Sequence, residues 1–372
     1  MTNVQNLLEA IDGSIDVIIE DLIEIRHDIH THPELGYNET RTSKLIQTFL
    51  DDVSVEYVSG LAKGTGVLAH IAGSADKSIG LRADIDALPI VEENEFEWKS
   101  VHEGCMHACG HDGHTTILLG TAKVLSILAK EQELPNPVTF LFQPAEEGGH
   151  GAREMIANGA LDGVDVIYGW HNWPALPFGK LVCPDDIVMC GNGTFSITVT
   201  GKGGHASQPE LCRDPVLASS AMVMALQQVV SRRLAPQQAT VLSVTSIEAP
   251  SGATVIPQQA KIGGSIRVPD RAARDQVNQL ITEICQSTAQ AYGVSCDVDI
   301  QPRYDATINH PEPAQTVREF WQQDWGETSL QADLHVPIMA SEDFSYYLQT
   351  IPGAFALIGA DDGPQRDLLA NS

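Results

Sequence analysis

The spacing of apolar residues changes period several times along the chain, and the first half alternates between two periods. KSIGLRADIDALP (77–89) is apolar along most of its length and breaks at Pro89, the pattern of a buried strand. DGHTTILLGTAKVLSILAK (112–130) repeats its apolar positions at helical spacing, with Asp112 placed to be the N-cap. PVTFLFQ (137–143) reads as a strand, HGAREMIANG (150–159) as a short helix stopped by Gly159, and VDVIYGW (164–170) as another strand. Strands separated by helices predict a mostly parallel sheet covered on both faces.

Near residue 190 the pattern changes. TFSITVTGKG alternates with period two, DPVLASSAMVMALQQVVSRR is helical, and ATVLSVTSIEA and AKIGGSIRVPD give two more strands. RAARDQVNQLITEICQSTAQAYG is a second helix and VSCDVDIQ a last strand. The order strand-helix-strand-strand-helix-strand predicts a ferredoxin-like α+β unit. Because SEDFSYYLQTIPGAFALIG returns to the earlier style, that unit reads as an insertion. The expected layout is one domain from residues 1–188 and 303–372, interrupted by a second at 189–302.

The length of 372 residues suits two such domains better than one core. A formal net charge of −27 argues against nucleic acid or an anionic membrane as a partner, since both require a basic surface. The opening MTNVQNLLEAIDGSIDVIIEDL is an acidic amphipathic helix without the features of an export signal, and no run of 18 apolar residues occurs. A cytoplasmic location is the expectation. The seven cysteines show no framework-like spacing and are expected to be reduced thiols.

Chemistry concentrates in MHACGHDGH (106–114), where three histidines, a cysteine and an aspartate share nine positions. That density makes either a metal site or an unusually polar turn. Cys109 and His111 stand two apart, so an extended segment would point both to one side. Glu146 and Glu147 follow the strand PVTFLFQ, His171 directly follows VDVIYGW, and Asp84 and Asp86 follow KSIGLR. Open α/β sheets carry their sites beyond the carboxyl ends of the strands. Three separate strands therefore bring ligand chemistry to one edge, which favours the metal site. His107 and His114 are expected to be hydrogen-bonding residues of the turn and helix, and His27, His30 and His32 to be structural. Cys105 and Cys109 form CxxxC rather than the CxxC of redox enzymes.

RADIDALPI, MHACGHDGH, LFQPAEEGGHGA, HNWP, GKGGHASQPE and MASEDFSYYL, in this order, resemble the M20 metallopeptidase family, above all its amidohydrolase branch of hippurate hydrolases, N-acyl-amino-acid deacylases and auxin-conjugate hydrolases. The resemblance implies a zinc-peptidase-like catalytic domain with an inserted lid that forms a homodimer. It implies two divalent ions (Zn, Mn, Co or Ni) held by Cys109, His111, Glu147 and His171, with Glu146 as general base and Asp86 orienting the ligands. Asp84 stands where other branches carry a ligand histidine. His205 and Arg267 match the family's substrate-binding positions, and Thr254 replaces an asparagine that contacts substrate. Relatives end on a segment whose histidine completes the second metal, and Ala370 stands in its apparent place, so the second ion is expected to be weakly held. The implied activity is cleavage of N-acyl, above all N-acetyl, amino acids or similar small amides. A di- or carboxypeptidase and a metal-depleted, non-catalytic relative are the alternatives.

Overall fold

The computed structural model describes residues 2–331 and 336–361. The chain forms two compact units. The first holds the residues up to Asp186, a stretch from Ile308, and the chain from Asp343 onward; the second holds Ile187–Thr307 and a short return ending at Glu342.

Seven strands make one sheet in the first unit: β1 (Glu56–Leu61), β2 (Gly66–Ile71), β3 (Ile79–Asp84), β4 (Val138–Gln143), β5 (Val166–Pro177), β6 (Leu181–Val182) and β7 (Gly353–Asp361). Their order across the sheet is β1-β2-β4-β3-β5-β7-β6. The four strands β4, β3, β5 and β7 run parallel. The outer strands β1, β2 and β6 pair antiparallel, so the sheet is mixed around a parallel centre. β4 is buried at every position, which is why PVTFLFQ lacks alternation. Helices α1 (Thr2–Thr31), α2 (Thr40–Val53) and α3 (His111–Glu131) press apolar stripes onto the sheet. Leu22 of α1, Ile46 and Leu50 of α2, and Leu118 and Leu119 of α3 share a core with Phe140 and Phe142.

β5 does not end at Trp170, as its apolar run suggested, but continues to Pro177. The cause is tertiary: β7 pairs with it from Ile167 as far as Pro177. On the other side, β3 pairs with β5 only through Ile79–Leu81 against Val166–Tyr168. Beyond that point the two strands part, opening a crevice past the carboxyl end of β3.

In the second unit, strands Gly191–Thr200, Val241–Glu248, Gln259–Val268 and Ser295–Pro302 form an antiparallel sheet, with the first and third at its centre. Helices Pro215–Leu226 and Arg271–Ala291 complete the strand-helix-strand-strand-helix-strand sequence, and the strand order is that of the split βαβ fold. Asp214 caps the first helix by accepting from the Val216 and Leu217 amides, and Asp270 caps the second through the Ala273 amide. Phe195, Ile197, Met222, Ile262, Val277 and Ile281 belong to this unit's own core. No helix among the described residues is long and apolar enough to cross a membrane.

Candidate metal centre

The site begins at the amino end of α3. Gly110, not Asp112, holds the N-cap position, with φ at +84° in the left-handed region that glycine tolerates. A Cβ at Gly110 would lie 2.6 Å from Asn172 Oδ1. Asp112 lies inside the first turn and turns away from the helix amides, accepting from Arg26 Nε at 3.1 Å and facing His30 Nδ1 at 3.0 Å. Arg26 and His30 outcompete capping there. Starting the helix two residues earlier puts His111 on its first turn. His111 Nδ1 lies 2.9 Å from the Asp86 carbonyl, so it carries the proton and donates. Nε2 is buried with no hydrogen-bond partner among the described residues, its nearest charge being Asp84 Oδ2 at 3.6 Å.

The loop after β4 carries both glutamates in a strained backbone: Ala145 and His150 have φ of +55° and +60° without being glycine. Surrounding groups fix it. Asp86 Oδ1 accepts from the Glu146 amide and Oδ2 from the Glu147 amide, each at 3.0 Å. Glu39, fully buried, accepts from the Ala145 amide at 2.9 Å and from the Thr65 hydroxyl at 2.8 Å. Glu146 Oε1 accepts from the Asp343 amide at 3.3 Å. Beneath lies a buried lattice in which Arg82 donates to Gln143, Asp84 and Asp343.

These supports gather the sequence-derived ligands. One ligand atom each of Cys109, His111 and His171 lies within 4.8 Å of the others, and the same holds for His111, Glu146 and Glu147 and for Asp84, His111 and His114. His111 is common to all three groups. His171 is on β5 just where β3 has left it, and its Nδ1 donates to the Asn172 carbonyl at 2.6 Å, turning Nε2 away. His114 uses both ring nitrogens, on Asp84 and on Asn172 Oδ1, each at 2.6 Å, and so holds neighbours rather than offering a free nitrogen. His107 is buried with neither nitrogen paired among the described residues.

The electrostatics fit a cation. Burial pushes the Cys109 thiol up to about 11 against the pull of His111. Burial also raises the Glu147 carboxyl, and it drives His171 down to about 3 with His114 adding to the effect. His171 is therefore a neutral imidazole, the form that ligates. Despite its burial, His111 is pulled well above the ordinary histidine range by the charge of Asp84 and by its Asp86 bond. A pocket that attracts a proton so strongly is one that a divalent ion would occupy instead, releasing protons from the thiol and imidazole. His111 Nε2 and the buried Glu147 Oε1, neither of them hydrogen-bonded among the described residues, are ligand atoms of the right kind.

His205, Arg267 and Thr254 belong to the second unit. His205 lies in a short strand paired with Val255–Ile256, its Nδ1 2.7 Å from the Ser207 hydroxyl. The Thr254 carbonyl accepts from the next residue along that strand, Ala206. Arg267 is half-buried and donates to the Ser341 hydroxyl at 3.1 Å. Ala370 lies outside the described residues. Sequence reasoning passed over Glu39, Gln143, Asp343 and Asn172. Arg82 had a visible signal, as a lone cation inside a strand otherwise apolar enough to be buried.

Thiol, imidazole and carboxylate side chains, the donor types that hold a divalent ion, converge beyond the strands of an open α/β sheet, an arrangement suited to metal-dependent hydrolysis. The chain belongs to the peptidase family M20/M25/M40, which its residues 80–367 match. It is 39% identical over 345 residues to an IAA-amino acid hydrolase of Arabidopsis thaliana, covering 91% of this chain and 78% of that one. It is 38% identical over 338 residues to the hippurate hydrolase of Campylobacter jejuni, covering 90% and 87%. A solved Bacillus subtilis structure, described as a dinuclear metal-binding peptidase of the M20 family, superposes with a TM-score of 0.80 at 32% identity, covering 94% of this chain and 91% of that one.

Proposed function

We propose that this protein cleaves the amide bond of N-acyl amino acids or closely similar small amides, with two divalent ions of the Zn, Mn, Co or Ni type held by Cys109, His111, Glu147 and His171. The observation that carries this reading is the sharing of His111 between the Cys109–His171 group and the Glu146–Glu147 group. One imidazole nitrogen binds one ion, so His111 would serve one of the two, and it is the nearness of both groups to it that suits a paired site. The names of the relatives, IAA-amino acid hydrolase and hippurate hydrolase, support the substrate class.

When bound, the ions polarise the amide oxygen and make a water acidic enough to attack. The chain's residues do the rest. Glu146 takes the proton from that water and passes it to the leaving amine. Asp86 holds the Glu146 and Glu147 amides on its two carboxylate oxygens and, through its carbonyl, fixes the His111 tautomer that presents Nε2. Contacts to the substrate carboxylate and amide oxygen are assigned to His205 and Arg267, with Thr254 shaping preference.

A panel of N-acetyl and N-benzoyl amino acids, run beside dipeptides with added Mn²⁺, Zn²⁺ and Co²⁺, tests the reading. Acyl amino acids should turn over and dipeptides should not; the reverse would make the protein a dipeptidase. Glu146→Gln should retain metal while kcat falls roughly 10²–10⁴-fold. Near-full turnover by that variant would remove Glu146 from the role of base.

A further inference from the structure

The loop that carries Glu146 is met by a second stretch of chain, the turn 36–39 between α1 and α2. Glu39 accepts from the Ala145 amide at one shoulder of the loop. At the other shoulder the Tyr37 hydroxyl donates to the Gly149 carbonyl at 2.5 Å. Between the two, the Glu146 and Glu147 amides rest on Asp86. The turn belongs to the same frame as Asp86, because the Ala87 amide donates to the Glu34 carbonyl at 2.9 Å. Contact along the seam is close. A Cβ at Gly36 would lie 3.1 Å from Ala145 Cα, and one at Gly149 would lie 2.9 Å from Tyr37 Cε2. Tyr37 reaches Gly149 from a left-handed backbone with φ at +64°, a conformation that favours glycine. Lys63 Nζ stands 4.0 Å from the centre of the Tyr37 ring and holds it from its face.

Backbone strain persists where the surroundings over-determine it, and here Tyr37 on one side and Ala145 and His150 on the other all have positive φ without being glycine. What the seam fixes follows from how the two glutamates differ. Glu147, assigned as a ligand, is placed by what it binds. Glu146, assigned as the base, has only the protein to place it, and its carboxylate meets the Asp343 amide at 3.3 Å, longer than an ordinary N–H···O bond. Proton transfer is sensitive to fractions of an ångström in the position of the base. Asp86 fixes the backbone at two adjacent amides, which defines a line and leaves the loop free to rock about it. Glu39 at residue 145 and Tyr37 at residue 149 stop that rocking. We propose that Tyr37 is a positioning residue for the general base, closing with Glu39 a clamp on both shoulders of the loop that carries Glu146. The clamp stands on its own geometry; its effect on turnover rests on the hydrolytic reading above, with Glu146 as base.

Tyr37→Phe removes one oxygen from a half-buried ring and keeps its packing. In the metal-free protein, amide hydrogen exchange read by mass spectrometry should be faster across 145–151 in this variant than in the parent, and unchanged in the second unit. In the metal-loaded enzyme, kcat for an N-acetyl amino acid should fall about tenfold, with metal content equal to the parent's and KM within about twofold. Glu39→Ala should lose at least as much, whereas Glu39→Gln, which can still accept from the Ala145 amide, should keep kcat within about twofold of the parent. The deciding measurement is made in a Glu146→Gln background, where no base is left to position and Tyr37→Phe should change kcat by less than about twofold. A full tenfold loss in that background would show that Tyr37 acts through another group and would overturn the inference. Equal exchange rates in parent and Tyr37→Phe would overturn it too, whatever the kinetics. Absence of turnover on every N-acyl amino acid would strike the hydrolytic reading, while faster exchange in Tyr37→Phe would still show the clamp.

Discussion

Cys109 is the residue in which burial and chemistry are most opposed. A thiol pushed up to about 11 is inert as a nucleophile, and only a nearby cation makes its thiolate the favoured form. Cys109→Ala should therefore lose metal and activity together. Cys183→Ala, which changes a thiol buried among Leu181, Ala354 and Ala356, should lose neither. Equal metal content in Cys109→Ala and the parent, read by elemental analysis, would remove Cys109 from the ligand set. Glu39 makes a different prediction. Burial raises its carboxyl from 4.5 to about 7. Below the lower value both folded and unfolded chains hold the proton, and Glu39 has no effect on the balance. Between the two values the unfolded chain releases its proton first, so stability falls as pH rises through that window and stays lowered above it. Glu39→Gln can still accept from the Ala145 amide and can donate to Thr65, so its Tm should drop less than the parent's between about pH 5 and pH 8. A parallel fall in both would show that Glu39 ionises normally. Both residues illustrate what a sequence reveals. The clustering of Cys109 with His111 and His171 was legible because ligand types crowd a few positions next to strand ends. Glu39 was not, because it acts alone in the sequence and meets Ala145 only in the fold.

The elements show the same division. The helical period of α3 and the apolar run of β4 were readable directly. The start of α3 was misread, since a capping aspartate and an ion-paired aspartate look alike until Arg26 and His30 are brought beside it. The length of β5 was misread because β7, more than 170 residues later, extends it. Gly110 joins these errors to the site: its positive φ lets the segment from Cys109 turn into the helix while Asn172 passes close by. Gly110→Ala should cost roughly 1–3 kcal/mol from backbone strain, with more for displacing Asn172 from His114. Denaturant unfolding would measure it, and a change below about 0.5 kcal/mol would mean the turn relaxes freely. The inserted unit was legible as an order of strands and helices because its two periods succeed each other cleanly and Asp214 and Asp270 mark its helix starts.

At the scale of the molecule, the second unit has a complete sheet and core of its own, whereas the first is interrupted and resumes after it. β7, which lies between β5 and β6, is the last strand among the described residues. Past Tyr168, β5 has β7 as its parallel neighbour, and His171 lies opposite Leu357. During synthesis on the ribosome, then, the later-encoded unit can fold before the earlier-encoded one is finished. A nascent chain stalled ahead of Gly353 should resist protease across 191–302 yet be cut readily in the first half, and it should fail to retain metal. Protection of both halves in such a stalled chain would show that β5 holds His171 in place unaided. Metal loading is on this account timed by the emergence of β7 rather than by the appearance of the ligands themselves.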